Sequence, residues 1–560
     1  MSLKLPSRFI YIDPRDEVPV RLCNAEHLAS DVRYMTLSHS WGREKFTTLR
    51  GGNLHSFMDE IPINQLKQTF QDAIQVTRFM DVQYLWIDSL CIIQDSVDDW
   101  QNESVIMSSV YSNSYCTIAA THASSSKGGL FNDRNIETFI PLCVKISKSS
   151  GNQDRPLYEY WDPQIWQEDV EESGLLKRGW CIQERLLSPR ILYFSSQQIF
   201  FECNKICVGE LKPENMDLLP RAAWQDSKLS FRQAFQSTLE DCQSLGGARA
   251  LALWKYLVRI YTDCSLTMET DRVVAISALT YAVQPLIQGN YVAGLWEQNL
   301  KSQLLWNIRD GAATKQYVAP SWSWASKIGR INWPDGDLST FWDKSLLDSQ
   351  GYSLLDVHDV VVTTRDDNPL SQVLSGTLWL KVVLISRSDL QLHVDGFPNF
   401  TLRRGRDIAW DIALSELGFS FRMKSDVNTP DLESGLCLGS STDISREFVC
   451  MPCERDSAVT MGPLGGFHFT RGLLLRRSGS TKGQYERIGH FHFRRVVSFT
   501  SGSSTPENLA SNDLVSERLK REGSDLFVHQ SLLDMDINDL REDMYESYDS
   551  ESNRCIISII

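Results

Sequence analysis

The sequence predicts an α/β fold: an N-terminal domain built on a parallel sheet, then a helical segment, then a β-rich C-terminal region. Two observations carry the first part. Short apolar runs suited to buried strands alternate with segments whose apolar residues recur at helical spacing on one face. The resulting order, strand, helix, strand, helix, strand, is that of a parallel sheet with helical crossovers. A third observation carries the last part: strand-like runs broken by polar turns extend from about residue 378 to 499.

The first strand is read from "YMTLSHSW", Tyr34 to Trp41, where apolar and small residues alternate until Gly42 breaks the pattern. Between residues 66 and 80, Leu66, Phe70, Ala73, Ile74 and Met80 fall on one helical face. Lys67, Gln68, Gln71 and Asp72 take the other face, so this helix should pack on one side only. "YLWIDSLCII", Tyr84 to Ile93, is a near-continuous apolar run and predicts a strand covered on both faces. Asp95, Ser96, Asp98 and Asp99 then open a helix that carries Trp100, Met107 and Tyr111, the acids favouring its positive end. "CTIAA", Cys116 to Ala120, is the third strand. The parallel sheet should therefore contain Thr36 to Ser38, Leu85 to Asp88 and Thr117 to Ala119. Residues 174–187 predict a helix and "ILYFSSQQIFFEC" a hairpin; helices follow from Pro220 to about Leu305.

These readings divide the chain into residues 9–203 (core about 34–188), a mainly helical segment 204–310, a β-rich region 311–499, and 500–560. The last part opens with "SFTSGSSTPENLASN", a linker by composition. Asp534 to Glu551 then carries eight acids and one Arg, which predicts a solvated, partly disordered tail. A chain of 560 residues is too long for one core. The net charge of −15 argues against a nucleic-acid partner. No apolar run is long enough to span a bilayer, and the first residues lack the apolar stretch of a signal peptide, so a cytoplasmic location is expected. Thirteen cysteines, an odd number without framework spacing, predict reduced thiols. The close pairs Cys203 with Cys207 and Cys450 with Cys453 are far apart in the chain, and no metal site is predicted from them. A phosphate-binding glycine loop is absent from the sequence.

One stretch resists the core reading. "RGWCIQERLLS", Arg178 to Ser188, places a carboxylate and two arginines in an apolar, helix-like run. Trp180 and Glu184 are one turn apart and share a helix face. Glu184 is either paired with Arg178 or Arg185 to lock the helix, or an acid set in a pocket wall. Ser38, Ser40, Trp41 and Gly42 lie where the first strand meets its loop, the place where open α/β sheets bind ligands, with Gly42 allowing close backbone approach. Asp88 is read at the end of the second strand, either in a pocket or capping the Ser89–Leu90 turn. Cys91 with His39 forms a second candidate constellation, a thiol nucleophile with a base, against the reading of "LCII" as a buried core run. The tryptophans of "SWSWAS", Ser321 to Ser326, share a face and are read as core.

The blocks "YMTLSHSWG", "YLWIDSLCIIQD" and "RGWCIQERLLSPR", in this order, resemble the fungal heterokaryon incompatibility (HET) domain family. Downstream, "DRVVAISAL", "YVAGLWEQNL", "APSWSWAS" and "ERIGHFHF" resemble the blocks that recur toward the C-terminus of such proteins, so the likeness extends over most of Tyr34 to Phe493. His39 and Cys181 depart from the Tyr and Thr more usual at those places. The resemblance implies a fungal cytoplasmic protein of non-self recognition, innate immunity and programmed cell death. A more distant resemblance, of "WCIQERL", "TLSHSWG" and "WIDS", is to TIR domains. It implies a TIR-like NAD hydrolase in which Glu184 is the catalytic acid. In that reading Ser38, Trp41, Gly42, Asp88 and Trp180 line the substrate site, with NAD as substrate and no cofactor. The contrasting class is a non-catalytic interaction module that signals through a protein partner or self-association; a Cys91-dependent enzyme is a third reading.

Overall fold

The computed structural model describes residues 4–134, 142–145, 157–160, 164–211, 213, 231, 235–236, 238, 247–333, 352–366, 368–386, 403–404, 409–414, 419–425, 448–455, 459–460, 466–479, 481–497, 540–552 and 554–560. The chain divides into two compact units, one of Met1–Gln243, Cys264–Thr267 and Ala275–Ala282, the other of Ser244–Asp263, Met268–Val274 and Val283–Ile560.

The first unit is organised by a sheet whose strands are β1 (Arg8–Tyr11), β2 (Arg21–Asn24), β3 (Met35–Ser38), β4 (Tyr84–Trp86), β5 (Cys116–Ala119), β8 (Arg190–Phe194), β9 (Ile199–Cys203) and β10 (Cys207–Gly209). A separate pair, β6 (Leu142–Lys145) and β7 (Leu157–Tyr160), stands outside it. The spatial order is β10-β9-β8-β5-β3-β4-β1-β2. Strands β4, β3, β5 and β8 run parallel, with Met35 opposite both Leu85 and Cys116 and Thr117 opposite Ile191. The expected parallel arrangement is therefore present, extended by β8, and β8 turns into β9 as the expected hairpin. The central strands are buried on both faces, which is why they read as apolar runs.

Helices α1 (Leu54–Asp59), α2 (Gln68–Phe79), α3 (Asp88–Cys91), α4 (Val97–Ser112) and α5 (Gly179–Leu187) complete the unit. Ser96 caps α4, its side chain accepting from the Asp99 amide at 3.2 Å, and Asp98 and Asp99 sit in the first turn. Two expectations need correction. The run Tyr84 to Ile93 is not one strand: β4 ends at Trp86, and Asp88 opens a single helical turn. Apolar content cannot distinguish a buried strand from a buried turn of helix, and Asp88 accepts from the Ser89 amide at 2.6 Å, which favours the turn. The helix expected from residue 174 begins at Gly179; the residues before it form turns after a π-helical segment at Gln167–Glu171.

The second unit contains a helix at Ala248–Thr262, short strands at Tyr291–Val292, Leu295–Trp296 and Asn307–Ala313, and a large mixed sheet. The stretch 204–310 is thus not uniformly helical. Trp254, Trp296, Trp306, Trp322 and Trp324 are fully buried, so the "SWSWAS" tryptophans are core. Positive φ at Ala293 and Gly294 makes the tight turn between the two short strands, and a side chain at Gly294 would strike Trp324. The buried Arg487 lies 3.3 Å from the centroid of the Trp306 ring and donates to the Leu304 carbonyl at 2.6 Å.

The end of the chain departs from the expectation of a solvated tail. Residues 501–539 lie outside the described residues, but Arg554–Ile559 is a strand. It pairs antiparallel with Val373–Val382, Leu378 opposite Ile559, and parallel with Gln484–Val497, Gln484 opposite Ser558. Cys555, Ile557 and Ile559 are fully buried, so the "CIISII" run is a buried strand. Ile557→Ala should then cost about 3 kcal/mol in denaturant unfolding followed by tryptophan fluorescence. An unchanged midpoint would mean that the segment is free in solution.

Candidate functional site

The connection leaving β3 leads to β4 on one side, while the one leaving β5 leads to β8 on the other. The carboxyl ends of β3 and β5 therefore flank a switch point, where an open α/β sheet leaves room for a ligand. The last turn of helix α5, just before β8 begins, is held to the sheet by a buried chain of hydroxyls near the starts of β3 and β5. Thr36 and Thr117 are 2.7 Å apart, Thr117 and Ser188 2.6 Å, and Ser188 Oγ donates to the Glu184 carbonyl at 2.6 Å. Fully satisfied, such a chain fixes the helix register.

The two charged residues inside α5 go separate ways. Arg185 meets Glu202, Nε to Oε2 at 3.4 Å, and lies 3.8 Å from Glu171. Tyr193 donates to Glu202 at 2.5 Å and completes that network. Residues 184 and 185 are about 100° apart around the helix, so Glu184 faces elsewhere. Its carboxylate is buried and forms no ion pair within 4.0 Å among the described residues; Oε2 has no hydrogen-bond partner there either. Burial pushes its pKa up to about 7; the Ser38 hydroxyl opposes the rise, Asp88 adds to it, and Arg178 and the Tyr111 hydroxyl draw it down.

Around this acid the structure gathers several of the residues singled out in the sequence. Ser38 ends β3 and its hydroxyl reaches both Glu184 and the Cys181 thiol. Asp88 accepts from Trp41 Nε1 at 2.9 Å and lies 3.9 Å from His39 Nδ1. His39 is buried with Nε2 unpartnered among the described residues; burial pulls its pKa down to about 4, so it is neutral near pH 7. Trp41, Phe46, Phe70 and His39 form an edge-to-face aromatic row beside it. Asp88 caps its turn, as one of the two readings of it expects, and its other oxygen accepts from Trp41.

Trp180 stands apart from these contacts: its ring meets Trp100 of α4 edge-on, centroids 6.4 Å apart. Gly42 has φ +73°, and a side chain there would come within 2.5 Å of Ser125 Cβ. The close approach it permits is thus to the loop after β5, where Ser125 fills the space beside it. Cys91 is fully buried, and burial pushes its thiol well up, which disfavours the thiolate a nucleophile requires. Two members of the cluster were not singled out as ligands in the sequence. Tyr111 reads as a core residue of α4, yet its hydroxyl, 3.4 Å from the Leu37 carbonyl, also faces Glu184. Arg178 was read only as a partner for Glu184; it donates instead to the His39 carbonyl at 2.8 Å.

Among the described residues, no group of three or more His, Cys, Asp or Glu side chains is placed to hold a metal, and no helix is long and apolar enough to cross a membrane. Residues 34–184 match the family described as Heterokaryon incompatibility protein (HET), a match that ends on Glu184. The chain therefore carries a HET domain, which relates it to heterokaryon incompatibility. No curated protein and no solved structure matches the chain.

The raised pKa has a consequence for stability. Below about 4.5 Glu184 is protonated folded or unfolded; between that value and about 7 only the folded state holds the proton. Stability is therefore full at low pH and falls as pH rises through 7, by roughly 3 kcal/mol. Glu184→Gln removes this loss. The variant should melt above the wild type at pH 8 and with it near pH 4.5. A variant less stable at both pH values would make Glu184 a structural anchor.

Proposed function

We propose that this HET-domain protein acts in fungal non-self recognition and cell death by cleaving NAD between nicotinamide and ribose. The observation that supports this reading most is Glu184: a buried carboxylate without an ion pair among the described residues, at the switch point of a parallel sheet, with Ser38, Asp88 and Tyr111 around it. The contrast with Arg185, which has two carboxylates for partners, removes the simplest structural reason for the acid.

In the reaction the bond between ribose C1′ and nicotinamide N1 breaks, and its electron pair goes to N1, cancelling the ring's positive charge. Water attacks C1′ and loses a proton. The anionic Glu184 faces the ribosyl cation that develops, as carboxylates do in glycoside hydrolysis. With a pKa of about 7 it also suits the acceptance of a proton from the attacking water. A cationic nicotinamide ring brought beside it draws the carboxyl toward its ionised form. Ser38 fixes the carboxylate, and Trp41, held to Asp88, supplies an aromatic ring for stacking. A protein partner or self-association provides the trigger.

The test is release of free nicotinamide from NAD by the purified protein. The wild-type rate should rise with pH and level off above about 7, because the ionised acid is the active form. Glu184→Gln should lower it roughly a hundredfold and abolish toxicity in a fungal cell. Cys91→Ser should keep the activity. A Glu184→Gln protein that is folded and fully toxic would favour the interaction module, in which the HET domain signals without chemistry.

A further inference from the structure

We infer that Arg178 holds the diphosphate of the dinucleotide, an assignment that rests on the NAD reading and adds the substrate's anion to it. Arg178 occupies the N-cap of α5, and its NH1 donates to the carbonyl of His39, the residue directly after β3. The guanidinium thus stands at the carboxyl end of the central strand, where α/β sheets receive phosphates.

Its surroundings distinguish it from the paired arginines of this unit, and its partial burial distinguishes it from the exposed Arg15, Arg43 and Arg50. Arg8 meets Asp99, Arg78 meets Asp16, Arg134 meets Glu210, and Arg185 meets Glu202. Arg21 and Arg190 lie over tyrosine rings. Arg178 has no carboxylate within 4.0 Å and bonds one neutral carbonyl, so its other N–H groups have no partner among the described residues. It is half-buried, which strengthens its attraction for an anion relative to a cation fully in water. The carboxylate that feels its charge is Glu184; Asp88 acts on the same acid, and His39, also near, is neutral around pH 7. Were neutralising Glu184 its task, an ion pair would be the simplest geometry, yet the side chain turns to a backbone oxygen.

The spacing suits the substrate. Six residues separate Arg178 from Glu184, roughly 9 Å along a helix axis. The phosphate nearest the scissile bond hangs from the same ribose, so acid and phosphate cation must stand within one sugar of each other. The planar fork of Arg matches a phosphate with two parallel hydrogen bonds, which a single ammonium cannot make.

The experiment compares ADP-ribose binding by calorimetry to the full chain as wild type, Glu184→Gln and Arg178→Gln. Wild type and Glu184→Gln should bind, and Arg178→Gln should bind roughly ten- to a hundredfold more weakly. Cleavage should separate in the same way: Arg178→Gln loses activity on NAD but not on nicotinamide riboside, which has no phosphate. Equal losses on both substrates would mean that Arg178 acts through Glu184, and the assignment would fall. Inorganic pyrophosphate should compete with ADP-ribose on the wild type, a measurement that needs no variant; absence of competition would overturn the assignment, as would absence of ADP-ribose binding. Binding of ADP-ribose without any NAD cleavage would sink the hydrolase reading and leave the anion site standing.

Discussion

The first unit carries a carboxylate, Glu184, into its interior with no ion pair within 4.0 Å among the described residues, Arg178 acting on it only from farther off. Burying an ionised acid is costly, and the protein's answer is partial neutralisation rather than a salt bridge. That answer requires α5 to be held firmly, because a small rotation would offer Glu184 either solvent or a partner. Two independent devices hold it. On one side Arg185 is fixed by Glu202 and Glu171; on the other, the hydroxyl chain from Thr36 through Thr117 and Ser188 ties the last turn to the sheet. Neighbouring residues of one helix thus differ in their environment: Arg185 meets two carboxylates, while Glu184 Oε2 has no hydrogen-bond partner among the described residues. Such a group lowers stability at neutral pH, because the folded protein holds its proton more tightly than the unfolded chain does.

The sheet determines which other groups reach the acid. Because the chain leaves β3 toward β4 and β5 toward β8, the loops part above their ends, and the residues just past each strand converge there. Ser38 and His39 come from β3, and Asp88 opens the turn after β4. Trp41 is drawn to Asp88 by its indole N–H, and Gly42 turns the chain against Ser125. Positions as far apart in sequence as 38, 88, 111, 178 and 184 thereby share one electrostatic neighbourhood.

Much of this was legible in the sequence, for reasons that can be named. The strands β3 and β5 are short, fully buried and bounded by breakers, so composition identified them. The helix α2 packs by one apolar face and its observed bounds, Gln68–Phe79, follow the periodicity, but Asp72, expected on the outer face, is buried and accepts from the Leu130 amide at 2.7 Å. Asp88 misled because its neighbours are apolar: Leu85, Trp86, Ile87, Leu90 and Cys91 are all buried whether the backbone is extended or helical. Tyr111 was hidden for a different reason. A buried tyrosine looks like core from sequence, and only the fold shows where its hydroxyl points. The final strand escaped because acids around it, such as Asp549 and Glu551, dominate the composition, while the alternation of Cys555, Ile557 and Ile559 is short.

The claim on which the account stands is the protonation state of Glu184, and it can be observed directly. Carbon-13 labelling of glutamate carboxyls, with the Glu184→Gln spectrum subtracted, isolates this one group's titration by NMR. The account predicts a single resonance that titrates with a midpoint near 7, well above the other glutamates. A resonance titrating near 4.5 or below would show a solvated or ion-paired carboxylate, and the site described above would lose its acid.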